Sequence, residues 1–440
     1  MKTTSVSSRR TFLKHGALTA TALGALASGF RVHAAEDNIL KVGLVGCGSR
    51  GMGAVNDAFS VDANLRLVAV ADAFPDRAAA AVTALKNSDK IGDRIIVTPE
   101  TTFDGLEAYK NVIDVCDVVL LCEPPHFRPA SLRYAVEKGR HVFCEKPVAV
   151  DGAGVKDVLE SAKIATEKKL QLVSGLCFRY DPPTLDMMKR IQDGAIGKVL
   201  SVRANFLTGA VWTRNRLPQT TEMMYQIRNW YNFTWLSGDH NVEQAVHSLD
   251  KAMWALGDDT PAFAYGLGGR MRRTGEHAAS DLYDSMAVVY EYDDGRTLSS
   301  FCTQLNGTFF EREEYVLGTK GIAIIAKGRI VGENPYTQKK PPGNRFQLEH
   351  DALFKAIRSG GATIINNGKY MADSTMITVL GRLACYTGKR LGWEEALNME
   401  LPTRPTGYTW NDTPPTLPDE RGRYKVEVAG LGLVHHEIVR

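Results

Sequence analysis

Four stretches of this 440-residue chain hold groups able to do chemistry. Gly46-Cys47-Gly48-Ser49-Arg50-Gly51 spaces its glycines as G-x-G-x-x-G, and Asp72 follows 21 residues after the last. Glu123-Pro124-Pro125-His126 and Glu145-Lys146-Pro147 set ionisable side chains beside prolines. Residues 225–250 gather Arg228, Tyr231, Trp235, Asp239, His240, Glu243, His247 and Asp250. The glycine pattern suits a phosphate. Gly46 permits a tight turn, Gly48 lets backbone approach a pyrophosphate, and Gly51 allows close helix–strand packing; the helix opening at Ser49 and Arg50 turns its N-terminus to the anion. Asp72 sits near the distance, about 20 residues, at which an acid binds adenosine ribose hydroxyls. That acid would repel a 2′-phosphate, which favours NAD over NADP, with Arg50 and Arg77 softening the preference.

A lysine ending a strand and fixed by the following proline can point toward a bound nicotinamide. There the Lys146 ammonium would hydrogen-bond a substrate hydroxyl and lower its pKa. Glu243 and His247, spaced i, i+4, would share one helix face, with Asp250 three residues further along it. A neutral imidazole near pKa 6.5 suits a general base, and a carboxylate can hold its tautomer. Trp230, Tyr231, Phe233 and Trp235 lie within six residues. Aromatic faces stack on sugar rings, so Arg228, Tyr231, Trp235, Asp239, His240 and Asp250 are candidates for a carbohydrate pocket. The same run would equally serve as a buried aromatic patch under a loop. No Cys/His cluster has metal-ligand spacing, so no metal is expected.

These groups need a scaffold. Apolar strands read from Ile39 to the first glycine, over 65–72, 118–122 and 141–144, with a helix over 129–138. This is a doubly wound parallel sheet, and the Glu-Pro-Pro-His and Glu-Lys-Pro turns fall at carboxyl strand ends, where such sheets bind ligands. From Val199 the strands lengthen and alternate. Asp293-Asp294-Gly295 marks a hairpin between 287–292 and 297–304, so the second half fits an antiparallel sheet with one packed face. The expected fold is α/β: a Rossmann domain over 35–152, a second α/β domain with an open, mainly antiparallel sheet over 153–393, and an extended arm over 394–440.

The net charge of +3 is unevenly placed. Residues 1–34 hold Lys2, Arg9, Arg10, Lys14 and Arg31 and no acid; the rest carries 48 Lys and Arg against 50 Asp and Glu, a net charge of −2. The body therefore offers no electrostatic case for nucleic acid. The leader reads Ser8-Arg9-Arg10-Thr11-Phe12-Leu13-Lys14, then a 14-residue apolar run, then Val32-His33-Ala34. Those are the charged, apolar and cleavage regions of a signal peptide, and the string matches the twin-arginine export pattern. The run is too short for the ~20 residues of a membrane-spanning helix. The protein is expected outside the cytoplasmic membrane, with no span once the leader is removed. Seven cysteines without a C-x-x-C read as small buried hydrophobes rather than a disulfide framework.

The combination G-C-G-S-R-G (46–51), E-P-P-H (123–126), E-K-P (145–147), G-L-C-F-R-Y-D-P (175–182) and D-G-A-I-G-K-V (193–199) resembles the glucose–fructose oxidoreductase / inositol dehydrogenase / rhizopine-catabolism (Gfo/Idh/MocA) family across about 39–390. The resemblance implies that Lys146 is catalytic, that His247 is the acid/base for the reacting hydroxyl, and that Arg179 lies near the nicotinamide. Gly46, Gly48, Ser49, Arg50, Gly51, Asp72, Glu123, Pro124, His126, Glu145 and Lys146 would contact the cofactor. It also implies a homo-oligomer, a dimer or tetramer, built through the open sheet. Family members carry D-x-x-x-H where this chain has Glu243 and His247. Residues 228–244 are further similar to a twin-arginine-exported branch that includes the NAD-dependent glycosidases of family 109, although Ala245 stands where that branch often has a second histidine. The expected function is nicotinamide-dependent oxidation of a sugar, polyol or glycoside with a retained, internally regenerated cofactor. The alternatives are a redox-neutral glycosidase and a non-catalytic sugar or cofactor sensor.

Overall fold

A computed structural model describes residues 38–271, 280–401 and 403–430. The expected export leader lies outside them. Among the described residues, no helix is long and apolar enough to cross a membrane.

Six parallel strands form the first sheet: β1 (Leu40–Val45), β2 (Leu65–Asp72), β3 (Thr102–Asp104), β4 (Val118–Leu121), β5 (His141–Cys144) and β6 (Leu172–Ser174), in the order β3-β2-β1-β4-β5-β6. β4 is buried along its whole length, and β1 over its last four residues. Such continuous apolar runs are what helices on both faces require. Strand order reverses between β1 and β4, which opens a crevice at their carboxyl ends. The boundary expected at residue 152 falls inside this domain. Gly152 opens the crossover helix Gly152–Glu167, whose next strand, β6, pairs parallel with β5, so the sheet closes only at Ser174.

The second sheet holds β7 (Val199–Thr208), β8 (Phe263–Gly269), β9 (Ser285–Glu291), β10 (Thr297–Gln304), β11 (Glu311–Gly318), β12 (Gly321–Ile324), β13 (Arg329–Gly332), β14 (Tyr336–Thr337) and β15 (Leu391–Gly392). Its order is β14-β13-β12-β11-β7-β10-β9-β8-β15. β7 and β10 run parallel and the other neighbours antiparallel. The β9–β10 hairpin turns at Gly295, whose φ of 85° suits glycine. One face buries Val202, Ala204, Val288, Tyr290 and Leu298 under helices Val246–Ala255 and Gly368–Thr387. The other exposes Phe263, Tyr265, Leu267, Phe301, Leu317, Ile322 and Val331.

All seven cysteines are free, and six are buried. The arm expected from 394 begins inside the helix Trp393–Asn398, and residues 403–430 run across both domains. Thr403 hydrogen-bonds Asp151, Trp410 stacks on Phe74 at 5.1 Å, and the Tyr283 hydroxyl donates to the Glu427 carbonyl at 3.0 Å.

Candidate active site

The crevice at the β1–β4 switch point is a cleft of about 680 Å³. The first domain lines it with Gly46–Met52, Asp72, Phe74, Asp76, Arg77, Glu123 and Pro124; the second contributes Trp212, Arg214, Ile227, Arg228 and Trp230. The three glycines play the roles their spacing implies. Gly46 has φ 89°, and a Cβ on it would lie 2.5 Å from the Glu123 nitrogen. A Cβ on Gly51 would lie 1.9 Å from the Gly46 carbonyl oxygen. Around Gly48 nothing lies within 4 Å of an added Cβ, which leaves the open approach that a pyrophosphate needs. The helix Ser49–Val61 has no side-chain cap, so its first N–H groups are free to meet an anion. Asp72 Oδ2 accepts from the Cys47 amide at 2.9 Å and Oδ1 from the Phe74 amide at 3.0 Å, which fixes the carboxyl group at the far end of the cleft. Burial raises its pKa above the ordinary aspartate value. These features fit an NAD molecule, with Ser49 at the pyrophosphate and Asp72 at the ribose.

Glu145, just past the end of β5, ties this cleft to Lys146. Its Oε1 pairs with Arg50 Nε at 2.9 Å, and its Oε2 accepts from the Lys146 amide at 3.1 Å. Arg50 also pairs with Asp57 at 3.2 Å and lies over Phe346. Lys146 Nζ donates to the Glu243 carbonyl at 2.6 Å and to Glu243 Oε1 at 2.9 Å. Glu243 Oε2 is buried without a partner. Burial raises the Glu243 pKa, and Lys146 opposes that rise.

Glu243 and His247 do not share one helix. Asp239 caps a short helix, His240–Glu243, through its side chain, and a second, Val246–Ala255, begins after a break at Gln244 and Ala245. Asp239 sits at φ 98°, and burial pushes its carboxyl up to about 7. Its Oδ1 serves as the helix cap, while its Oδ2 is buried without a partner. The break separates the faces. Glu243 turns to Lys146, while His247 meets the edge of Phe178 at 5.6 Å. His247 Nδ1 is buried with no partner. Burial drives its pKa well below the ordinary histidine value, reinforced by Lys146, Lys251, Arg345 and Arg312. A neutral imidazole therefore faces the site, and among the described residues no carboxylate hydrogen-bonds its Nδ1.

Several expected site residues are engaged elsewhere. Asp250 accepts from Arg179 Nη2 at 2.8 Å and from Ser374 at 2.8 Å, not from His247. Arg179 is sandwiched between Trp254 and Tyr370, with Asp258 as its second carboxylate at 2.6 Å, so its donors brace the second domain rather than the cofactor. Arg228 lies over Phe74 and pairs with Asp76 at 2.8 Å, at the adenosine end of the cleft rather than beside a sugar. Trp235 is buried, with Nε1 donating to Gln226 at 2.7 Å. His126 pairs with Tyr408 at 2.9 Å and lines a neighbouring cavity with Asp151 and Arg404 instead of the dinucleotide cleft.

The aromatic run thus divides. Phe233 and Trp235 are core, Trp230 lines the cleft, and Tyr231 holds a buried, unpartnered hydroxyl whose surroundings include Glu243 and Arg312. His240 joins them, with Nε2 3.4 Å from the Thr208 hydroxyl and burial pulling its pKa to about 4. Sequence reasoning missed Phe178, Lys251, Arg312, Arg345 and Trp212. Phe178 and Lys251 had a local signal, the first beside Arg179 in the 175–182 string and the second four residues past His247.

Residues 40–175 match the oxidoreductase family with an NAD-binding Rossmann fold, and residues 184–324 match the GFO/IDH/MocA C-terminal domain. The chain belongs to the Gfo/Idh/MocA oxidoreductase family. It is an oxidoreductase with an NAD-binding Rossmann domain. An inositol 2-dehydrogenase of Rhizobium meliloti is 28% identical over 293 residues, 66% of this chain and 77% of that protein. One from Burkholderia lata is 29% identical over 297 residues, 67% and 76% of the two chains. Among solved structures, scyllo-inositol dehydrogenase of Lactobacillus casei with bound NAD(H) and scyllo-inositol aligns with a TM-score of 0.60 at 17% identity, covering 81% of this chain and 99% of that one. GenD2 from gentamicin A biosynthesis, in complex with NAD, gives 0.61 at 19% identity over 81% and 96%.

Proposed function

We propose that this family member oxidises a hydroxyl of a sugar, polyol or glycoside and regenerates its NAD without releasing it. The observation that carries the assignment is the convergence of Lys146, Glu243 and a neutral His247 beside the dinucleotide cleft. Bound NAD supplies hydride acceptance and return. Lys146 Nζ turns from Glu243 to the reacting oxygen and stabilises its developing negative charge. His247 takes the hydroxyl proton. Tyr231 Oη, Glu243 Oε2 and His247 Nδ1 are buried polar atoms without partners, and substrate hydroxyls would satisfy them. The inositol dehydrogenases among the relatives support a polyhydroxylated substrate.

Retention of the cofactor rests on two observations. The cleft is walled by both domains, with the Arg228–Asp76 pair crossing between them and Trp410 stacked on Phe74. The twin-arginine leader also points to export in a folded, loaded state, to a compartment without a free nicotinamide pool. A captive cofactor can be regenerated by a second sugar or by the same one. In the second case, oxidation to a ketone acidifies the adjacent C–H, the glycosidic bond is eliminated, water adds, and the ketone is reduced. p-Nitrophenyl glycosides incubated without added oxidant separate the two schemes. Phenol release, with solvent deuterium entering beside the anomeric carbon, identifies the glycosidase; reduction of an added ketose without phenol release identifies the oxidoreductase.

The exposed apolar face around Leu267 and Phe301 favours a dimer or tetramer through this sheet. Light scattering is expected to give a mass two or four times that of the chain, and a monomer at micromolar concentration contradicts the assembly.

A further inference from the structure

Most cations around the reacting centre are held by carboxylates. Lys146 is paired with Glu243 at 2.9 Å, Arg179 with Asp250 and Asp258 at 2.8 and 2.6 Å, and Lys251 with Glu314 at 2.6 Å. Among the described residues, no carboxylate lies within ion-pairing distance of Arg312 or Arg345. Arg345 lies over Phe178, the ring that His247 meets edge-on, and its buried Nε has no acceptor.

Arg312 is the better placed of the two to meet a substrate. It lies opposite Phe206 in the β11–β7 register, two residues before Glu314, so it projects from the helix-covered side of the sheet and not from the exposed apolar face. Its guanidinium lies over the rings of Phe206 at 5.0 Å and Phe310 at 5.3 Å, which fixes its plane without using its donors. Its charge is felt at Tyr231, His240 and His247, the groups of the candidate sugar site. Arg312 is itself exposed, beside the exposed Phe309 and Phe310, so its donors are open to an incoming ligand. A fork of oriented donors with no carboxylate in reach suits a negatively charged ligand group.

We propose that the substrate is a sugar or polyol carrying an anionic substituent, a carboxylate or a phosphate or sulfate ester, held by Arg312. This rests on the oxidoreductase reading and narrows its substrate class. The test is calorimetric titration of the NAD-loaded protein with gluco-, galacto- and manno-configured hexoses, the matching hexuronates, and the hexose 6-phosphates and 6-sulfates. At least one anionic sugar is expected to bind about tenfold or more tightly than its neutral counterpart. The hexuronate and ester arms identify which anion is read. Arg312→Ala is expected to remove the difference, and Arg312→Lys, which keeps the charge without the fork, to restore part of it. Equal affinity for neutral and anionic sugars in every set, no binding by any anionic sugar, or an advantage that survives Arg312→Ala overturns the assignment. Absorbance at 340 nm separates the two levels. A neutral sugar that reduces the bound cofactor with no anionic preference overturns the anionic substituent and leaves the oxidoreductase standing, whereas failure of every sugar in these sets, and of myo- and scyllo-inositol added alongside, overturns both.

Discussion

Lys146→Ala lowers turnover about 10²–10⁴-fold while NAD affinity changes by less than about tenfold, the range expected when a positioned proton-handling or charge-stabilising group is lost. The lysine lies just past β5 at the carboxyl edge of the sheet, and its ammonium is held by two oxygens of Glu243 rather than by any group lining the dinucleotide cleft. Under the proposed role its loss removes the interaction with the reacting oxygen and leaves the pyrophosphate turn and Asp72 intact. It also strands a buried carboxylate, since Glu243 is only 6% exposed, so some loss of thermal stability accompanies the loss of rate. The double variant Lys146→Ala/Glu243→Gln removes that stranded charge and is expected to recover stability without recovering turnover. Steady-state rates at 340 nm and calorimetric NAD titration separate the two effects. Unchanged turnover on a confirmed substrate contradicts the catalytic role.

His247→Asn lowers turnover by a comparable factor and alters the pH profile in a defined direction. Burial, with four cations at Lys146, Lys251, Arg345 and Arg312, disfavours the imidazolium, so the folded-state pKa lies below 6.5. The neutral base then persists as the pH falls past 6.5, and the acid limb of kcat/KM appears only at lower pH. Asparagine abolishes that limb together with most of the rate. An acid limb at or above 6.5, or one retained in His247→Asn, would place the titrating group elsewhere. An anionic substrate bound beside Arg312 offsets part of the cationic field, so the limb in kcat moves to higher pH than that in kcat/KM.

The dinucleotide turn was legible because its determinants are local. A strand, three glycines at fixed spacing and an acid at the next strand end leave few other structures open. Lys146 was legible for the same reason, since its position is set by the end of β5. Other residues depended on partners far away in sequence. The spacing of Asp250 from His247 was correctly read as helical, yet Arg179, 71 residues earlier, captures the carboxylate. Glu243 finds Lys146 across 97 residues, and that pairing accompanies a helix break which no i, i+4 argument anticipates. Asp239 looked like a sugar ligand by composition, but its positive φ and capping bonds are conformational facts. Arg312 and Arg345 carried no motif at all; the sheet register and the ring contacts of each give them meaning.

Every role proposed for these residues requires a dinucleotide held in the cleft between the two domains. Protein purified without added cofactor, desalted and scanned from 250 to 400 nm tests this most directly, with calorimetric titration of NAD on any cofactor-free fraction. The expected result is close to one NAD per chain surviving gel filtration, with a band near 340 nm appearing when a competent polyol is added. A cofactor-free protein that also fails to bind added NAD contradicts the account at its foundation.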